Sequence, residues 1–213
     1  MTAPSADLPV SKAGDGLMRL TDVALALILL LLATLPMLVI AVLILADDGR
    51  PVLFRQTRVG RGARHFTILK FRTMTHDRNR ATGTVTGPVT AADRQRFETT
   101  ISGDPRITRV GRVLRPLHMD ELPQILNVLS GDMSLVGVRP DVPVQQADYT
   151  DQEWIDRHVL RPGITGLAQI DSGIDSMAAR TACDLVWVRN RSFGLYLSIL
   201  FRTFFKVLKR NSL

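Results

Sequence analysis

The stretch "VALALILLLLATLPMLVIAVLILA", residues 23–46, contains no charged side chain. As a helix it would reach roughly 36 Å at ~1.5 Å per residue, which is enough to cross a bilayer core of ~30 Å. A secretory signal peptide is a poor alternative, because the apolar run is too long and no small-residue cleavage motif follows it. A buried helix of a soluble protein is also a poor alternative, since few such helices lack a polar face. The stretch therefore predicts a membrane helix.

Pro36, near the middle of this stretch, complicates a simple span. Proline removes one backbone donor and crowds the carbonyl of Leu32, so we expect a kink or break. The arginines after the stretch place its C-terminal side in the cytoplasm, but the sequence gives no comparable reason to place the N-terminus outside. A straight span and a re-entrant hairpin within one leaflet both fit. In the hairpin, the Thr34 hydroxyl could satisfy a carbonyl freed at the break.

The pattern divides the chain into three regions. Residues 1–17 are polar and rich in small side chains, which predicts a mobile N-terminal tail. Residues 18–47 are predicted to form the membrane helix, broken near Pro36. Residues 48–213 are predicted to form one domain at the cytoplasmic face.

Within residues 48–213 the patterns predict a β-hairpin and several helices. "PVLFRQTRV" and "HFTILKFRTM" indicate two strands joined by the turn "GRGAR", whereas residues 76–103 indicate a long surface loop. Thr150 and Glu153 have the spacing of a helical capping box, and "RPGITGLAQI" is typical of a glycine-rich turn. The last 22 residues predict an amphipathic helix, which would lie in a membrane interface, pack on the core, or do both.

The formal charge is +7, and lysine occurs only four times, so arginine supplies most of the positive charge. An arginine-rich proteome would explain this excess. The functional alternatives are binding of nucleic acid, of an anionic membrane surface or of a phosphorylated substrate. The chain has no recognisable nucleic-acid-binding motif, so we expect no nucleic-acid partner. Cys183 is the only cysteine, which excludes an internal disulfide.

Residues 118–124 read "HMDELPQ", with two adjacent acids before an apolar stretch that ends at Gly131. Helix initiation explains the motif, because Asp120 suits an N-cap, Glu121 the first turn, and Pro123 is tolerated there. The same geometry also suits chemistry. A helix N-terminus lowers the pKa of a carboxylate and favours phosphate, so an ionised Asp120 could attack a phosphorus centre. Mg²⁺ and arginines would then neutralise the phosphate charge.

The segments "PVLFRQTRVG", "FTILKFRTM", "DPRITRVGRVLR", "DELPQILNVLSGDMSLVGVRP" and "RPGITGLAQI" occur in this order and cover most of residues 19–203. Together they resemble the bacterial monotopic phosphoglycosyl transferases, which belong to the bacterial sugar transferase family of undecaprenyl-phosphate sugar phosphotransferases. "DELPQ" alone would not be specific. Arg19 and Asp22 are similar to the family's Arg-x-x-Asp motif before the apolar run.

The resemblance implies an α+β fold: a small, mostly helical catalytic domain with a β-hairpin, an N-terminal re-entrant membrane helix and interfacial amphipathic helices. It implies a location at the cytoplasmic face of the bacterial inner membrane. The substrates would be a UDP-sugar and a polyprenol phosphate, typically undecaprenyl phosphate. Asp120 would attack the β-phosphate, release UMP and form a covalent phosphosugar intermediate. Attack on it by the polyprenol phosphate would complete a ping-pong reaction, the first membrane step of polysaccharide assembly.

The resemblance also implies the site residues. Mg²⁺ would be the cofactor, with Asp120 and Glu121 as its ligands, and Glu121 would otherwise act as a base. The implied substrate-binding residues are Arg115, Arg139, Lys70, Arg72, Gln124 and Asn127. The two arginines named first would neutralise phosphate, the lysine and the third arginine are weaker candidates for that role, and the two amides would hold the active-site helix.

Several positions depart from the common family pattern: Leu35, His118, Val138, Trp187 and Tyr196. At the membrane break, Thr34, Leu35 and Pro36 replace the usual Ser-Pro, so Thr34 would have to replace the serine hydroxyl. These departures support one alternative, a catalytically degenerate membrane scaffold that binds anionic lipid or partner enzymes. Besides its substrates, the expected partners are the lipid of one leaflet and downstream glycosyltransferases, and the sequence also allows a homodimer.

Overall fold

The computed structural model describes residues 12–75, 104–171 and 176–210. The predicted loop at 76–103 lies outside these ranges, as do residues 1–11 of the predicted tail. The helices are α1 Lys12–Asp48, α2 Arg109–Leu114, α3 Gln124–Ser130, α4 Asp151–Arg157, α5 Leu167–Ile170, α6 Met177–Arg189 and α7 Phe193–Arg210. The strands are β1 Leu53–Val59, β2 His65–Phe71, β3 Ser134–Val136 and β4 Gly163–Thr165. The predicted α+β class is therefore confirmed.

Helix α1 is long and apolar enough to cross a membrane, judged by length and composition. It begins at Lys12, so residues 12–17 are helical and the predicted tail boundary at residue 17 is wrong. Asp15 lies in the first turn, where its negative charge interacts favourably with the positive end of the helix dipole. It also pairs with Arg191. Polar residues therefore extend the helix ahead of its apolar part.

Pro36 lies inside α1, and the helix is one continuous element on both sides of it. The predicted division into two helices at Thr34–Pro36 is therefore not found. The Thr34 hydroxyl donates to the carbonyl of Leu30 at 2.7 Å, so it does not satisfy the carbonyl of Leu32 that proline leaves free. One missing amide removes one hydrogen bond, and packing of the flanking turns can hold the rest of the helix.

The hydrophobic core consists of three buried clusters among the described residues, and each contains residues of α1. Met18 packs with Trp187 and Tyr196, and Ala26 packs with Ile68 and other side chains of β2 and α3. Beyond Pro36, Ile40 and Ile44 pack with Phe71 and Leu114. Since residues on both sides of the proline contact the same domain, α1 is part of its core. The other faces of α1 expose large apolar side chains, such as Leu31 and Leu35.

The Arg-x-x-Asp motif ties α1 to the domain. Arg19 donates to the carbonyls of Val128 and Leu129 at 2.6 and 3.1 Å, at the C-terminal end of α3, where carbonyls lack intrahelical partners. Asp22 is buried and accepts hydrogen bonds at one carboxylate oxygen from the Ser134 hydroxyl, the Leu135 amide and the Tyr196 hydroxyl. Tyr196, a departure from the family pattern, therefore has a structural role.

The predicted β-hairpin is confirmed. Strands β1 and β2 pair antiparallel from Leu53↔Phe71 to Val59↔His65, and a 3₁₀ turn at Arg61–Ala63 joins them. Gly62 has φ of +66°, which glycine adopts at little cost. The reading of "RPGITGLAQI" as a turn is wrong in part, because Gly163–Thr165 forms β4, which pairs parallel with β3. Three residues are too few to show a strand periodicity in sequence.

Helix α7 covers most of the C-terminal segment that was predicted to form an amphipathic helix. Tyr196 and Ile199 are fully buried in the core, whereas Phe201, Phe204 and Phe205 are exposed. The helix therefore packs on the domain through one face. Contact of its exposed aromatic face with a membrane interface stays a prediction.

Gly163→Ala is expected to destabilise the protein strongly, because a Cβ atom there would lie 2.0 Å from the backbone nitrogen of Gly137. Backbone atoms of the parallel pair cannot move apart without breaking its hydrogen bonds, so we expect a loss of about 3 kcal/mol in the free energy of unfolding. Denaturant unfolding in detergent measures this loss. Gly194→Ala is the control: a Cβ there meets nothing within 4 Å, and alanine favours the helix. Equal stability of the two variants would contradict the tight approach of β3 and β4.

Candidate active site

Asp120 and Glu121 lie in a 3₁₀ turn, Met119–Glu121, that precedes α3. Helix α3 begins only at Gln124, with Pro123 before it, so the prediction that Asp120 caps this helix is wrong. His118 enters the turn in the left-handed conformation, with φ of +55°, which is uncommon for a residue with a side chain. This conformation directs the chain into the tight turn that carries the two acids.

Lys70 contacts Glu121 directly. Its Nζ atom lies 2.5 Å from Oε1 of Glu121, in a partly buried ion pair between β2 and the 3₁₀ turn. Burial opposes ionisation of Glu121, but the charge and hydrogen bond of Lys70, together with the charge of Arg139, hold its pKa below the usual value. Glu121 is therefore an anion held by two cations.

Asp120 has the opposite electrostatic balance. Burial raises its pKa above the usual value; the charge of Lys70 opposes this rise, and the negative charge of Glu121 adds to it. The favourable effect of Arg115 is smaller. The expectation that a helix N-terminus lowers the pKa of Asp120 is therefore wrong, because Asp120 precedes the helix in a partly buried position. A further positive charge close to Asp120 would therefore stabilise its ionised form.

A cleft lies beside Lys70 and Glu121, and Asp120 is not among the residues that line it. Its charged and polar lining consists of Arg58, Lys70, Glu121, Gln124, Arg139 and Gln169. The backbone of Gly163 and Pro140 also reaches the cleft. Three cations and one anion line it, which suits a ligand that carries phosphate groups.

Arg58 belongs to the cleft although the sequence reading gave it no role there. Its guanidinium donates to the carbonyl of Pro140 at 2.9 Å and to Gln56 at 2.6 Å. Burial and the neighbouring Arg139 lower its pKa to about 10, so it remains a cation at neutral pH. Gln169 was missed in the same way. Only proximity in the fold identifies these two residues, since neither lies beside the acidic pair in sequence.

Arg139 is exposed at the cleft, and a buried ion network lies behind it. Arg157, which is 0% exposed, pairs with Asp141 at 3.1 Å and with Asp184. It also approaches the carbonyl of Arg139 at 3.4 Å. The Tyr149 hydroxyl donates to the second oxygen of Asp141. This network fixes the backbone segment that presents Arg139 to the cleft.

Asn127 joins α3 to β2. Its side-chain oxygen accepts from the Leu69 amide at 3.0 Å, and its side-chain nitrogen donates to the Thr67 carbonyl at 2.8 Å. The amide thus pairs with the edge of β2 and fastens α3 beside Lys70. Gln124 is also buried and lines the cleft.

Arg72 lies away from the cleft lining. It is buried, donates to the carbonyls of Asp48 and Gly49 at 2.7 Å each, and pairs with the Asp48 carboxylate at 3.1 Å. It therefore neutralises the C-terminal end of α1, where carbonyls lack helical partners. The geometry does not support the predicted phosphate contact for this residue.

The other departures from the family pattern are also placed by the fold. Val138 is buried beside Trp187 and Tyr196 in the core, so it contributes packing there. His118 forms the entry to the acidic turn, and Leu35 is exposed on α1. Among these departures, only His118 adjoins the candidate active site.

Comparison with known proteins identifies the family of the chain. The sequence pattern of the family described as bacterial sugar transferase matches residues 14–210. The chain is 42% identical over 193 residues to the UDP-glucose:undecaprenyl-phosphate glucose-1-phosphate transferase of Caulobacter vibrioides, covering 87% of this chain and 67% of that protein. It is 40% identical over 190 residues to the undecaprenyl-phosphate glucose phosphotransferase of Komagataeibacter xylinus, covering 84% of this chain and 33% of that protein.

A third relative is matched almost throughout. The exopolysaccharide production protein PSS of Rhizobium leguminosarum bv. phaseoli is 38% identical over 206 residues, which cover 92% of this chain and 96% of that protein. The chain thus spans only a third of the Komagataeibacter protein but nearly all of the Rhizobium one. The matched residues include α1, the hairpin, the acidic turn and the cleft, and the chain accordingly belongs to the bacterial sugar transferase family.

Proposed function

We propose that the protein transfers a sugar 1-phosphate from a UDP-sugar to a polyprenol phosphate such as undecaprenyl phosphate. The observation that carries this proposal is the position of Asp120 directly before Glu121, whose ion pair with Lys70 lines a cleft that also contains Arg58 and Arg139. A nucleophile, an acid–base partner and cations for two phosphate groups are thereby close together. The names of its relatives support the same substrate classes.

The first half-reaction is an attack by a carboxylate oxygen of Asp120 on the β-phosphorus of the UDP-sugar. A bond forms from that oxygen to phosphorus, the bond from phosphorus to the bridging oxygen breaks, and its electron pair leaves with UMP. In the second half-reaction a phosphate oxygen of the polyprenol phosphate attacks the same phosphorus. The bond to Asp120 breaks, and the free carboxylate and a polyprenol diphosphosugar result.

The cationic residues each have a place in this scheme. Lys70 neutralises Glu121 and favours the ionised form of Asp120, which the attack requires. Arg58 and Arg139 bind the phosphate oxygens, whose negative charge would otherwise repel the carboxylate. Glu121 lines the cleft and would help to hold a cation bound to the phosphates.

Mg²⁺ is the proposed cofactor. No group of three or more His, Cys, Asp or Glu side chains that could hold a metal occurs in the part of the chain that the structure describes. Asp120 and Glu121 nevertheless fit Mg²⁺, because this ion commonly uses one or two carboxylates together with substrate phosphates and water. Bound there, it would supply positive charge to the diphosphate.

We propose further that α1 bends at Pro36 without breaking, so that it is re-entrant, and that the domain lies at the cytoplasmic face of the bacterial inner membrane. Residues before and after Pro36 pack on one charged domain, which stays on one side of a bilayer. A straight span would carry one of these halves away from it. An N-terminal epitope tag and a C-terminal tag should therefore both be digested by protease in inverted vesicles and protected in spheroplasts. Opposite accessibility of the two tags would establish a straight span.

The reaction scheme makes a direct test possible. The purified protein, incubated with a panel of UDP-sugars and Mg²⁺ but no lipid, should release UMP in a burst of one equivalent with one of the sugars. Its intact mass should rise by one phosphosugar. Polyprenol phosphate should then discharge the adduct. A protein that shows neither burst nor adduct, but binds anionic vesicles, would instead be the non-catalytic scaffold.

A further inference from the structure

A second cavity lies at the start of α1 and shares no lining residue with the cleft. We name it the arginine cavity, because it is lined by the side chains of Arg19, Arg61, Arg161 and Arg191. Asp15, Asp22 and Trp187 also line it. The proposed sugar-phosphate transfer uses none of these side chains.

Positive charge exceeds negative charge in the arginine cavity. Asp15 pairs with Arg191 and, at 4.0 Å, with Arg61. Asp22 accepts its hydrogen bonds from the neutral groups of Ser134, Leu135 and Tyr196, and these bonds hold it in place. Four guanidinium groups thus face two carboxylates, and a net charge of about +2 remains to be balanced.

Two of the arginines use only some of their N–H donors in hydrogen bonds to the backbone. Arg161 donates through Nε to the carbonyl of Gly131 at 2.8 Å, and Arg19 donates to the carbonyls that end α3. A guanidinium has five N–H donors, so the remaining donors of both groups are available to a ligand in the cavity. Burial and the nearby charges of Arg19 and Arg61 lower the pKa of Arg161, which places these cations close together.

Trp187 is a buried residue that lines the arginine cavity. Its side chain is 2% exposed, and its indole N–H is buried without a hydrogen-bond partner among the described residues. Buried donors are almost always paired, since an unpaired one loses the free energy of its hydration. A ligand bound in the arginine cavity would lie close to the Trp187 side chain, because Trp187 is one of the lining residues.

We propose that the arginine cavity binds a phosphate group, either that of an anionic phospholipid headgroup or free phosphate. The forked N–H groups of a guanidinium match phosphate oxygens in charge and geometry. The cavity lies where the apolar part of α1 begins, because Arg19 and Asp22 directly precede residue 23. In a membrane-bound protein this level is that of the lipid headgroups. The inference does not depend on the chemistry of the cleft.

Trp187 can report on its own site. The chain has two tryptophans, so Trp154→Phe leaves Trp187 as the only one. In this background we expect inorganic phosphate, or nanodiscs of phosphatidylglycerol compared with phosphatidylcholine, to change the Trp187 fluorescence with saturation. A response to phosphatidylglycerol discs alone identifies a lipid site, and a response to phosphate alone identifies a site for the free ion.

Substitutions separate this site from others. Arg161→Gln and Arg61→Gln should each raise the apparent Kd by ~10-fold, because a hydrogen-bonded charge is removed. Arg61 is half exposed in the hairpin turn, so its variant is expected to fold even if the other does not. The controls are Arg55→Gln, exposed on β1, and Arg139→Gln in the cleft, and each should change the Kd by less than 2-fold. A Trp187 signal that responds to neither probe, or equally in Arg61→Gln and Arg55→Gln, would overturn the proposal.

Discussion

Asp120→Asn is expected to abolish both the UMP burst and the covalent adduct and to lower turnover by at least ~10³-fold. The amide is a poor nucleophile and cannot form the acyl phosphate, while its size preserves the partly buried turn. Intact-mass spectrometry after incubation with the UDP-sugar detects the adduct, and UMP release measures turnover. Asp120 is the residue with the largest expected effect because every step of the scheme passes through it.

The matched control is Asp151→Asn, which makes the same change at an exposed position in the first turn of α4. It should keep the burst and the turnover within 2-fold of the wild type. If Asp120→Asn still forms the adduct, the nucleophile is another residue. If it keeps turnover without an adduct, the acceptor attacks the UDP-sugar directly and the ping-pong scheme is wrong.

The pKa of Asp120 adds a pH dependence. Burial raises this pKa, and only the ionised carboxylate attacks, so the burst rate should fall as the pH is lowered through it. Bound Mg²⁺ favours the anion, and raising its concentration should therefore move the acid limb of the profile to lower pH. If the position of the acid limb does not change with the Mg²⁺ concentration, the ion does not contact this carboxylate.

Arg157→Met is expected to lower the free energy of unfolding by about 3–5 kcal/mol, the largest stability effect that we predict. The substitution leaves the carboxylates of Asp141 and Asp184 buried without the cation that both now contact. Breaking a buried ion network by removing one partner costs this much, because desolvated charge remains uncompensated. Urea unfolding in detergent measures the loss.

Arg112→Met provides the control, since Arg112 is exposed on α2 and should change stability by less than about 0.5 kcal/mol. A triple variant in which Asp141→Asn and Asp184→Asn accompany Arg157→Met should recover part of the loss, because the buried charges are then removed together. Equal stability of Arg157→Met and Arg112→Met would show that the network contributes nothing to folding.

Local patterns in the sequence correctly predicted the elements that depend on neighbouring residues. Alternation and the "GRGAR" turn predicted the hairpin, Gly131 ends α3 in the left-handed conformation with φ of +92°, and Thr150 and Glu153 form the capping box. Such signals act within a few residues, so no tertiary contact is needed to recognise them. The acidic pair and the family were likewise recognisable from the sequence.

Predictions from neighbouring residues were wrong where distant contacts or burial determine the conformation or the pKa. The sequence predicted a break at Pro36, yet packing on both sides of the proline keeps α1 continuous. It predicted a lowered pKa for Asp120, yet burial raises it. The sequence also suggested Arg72 as a phosphate ligand, although Arg72 instead pairs with Asp48 at the C-terminal end of α1. The energies of desolvation and long-range packing depend on the whole fold, and no pattern of neighbouring residues contains them.

The sequence by itself thus determined the apolar helix, the hairpin, the family and the two acids of the candidate site. Only the tertiary structure decided which cations face those acids. Lys70 is 51 residues from Glu121 in sequence and 2.5 Å from it in space, and Arg58 reaches the cleft from the neighbouring strand. It also decided that Asp22 and Tyr196, 174 residues apart, share a buried hydrogen bond. Short-range propensities fix the elements, whereas the charges that make a site are brought together by packing of the elements.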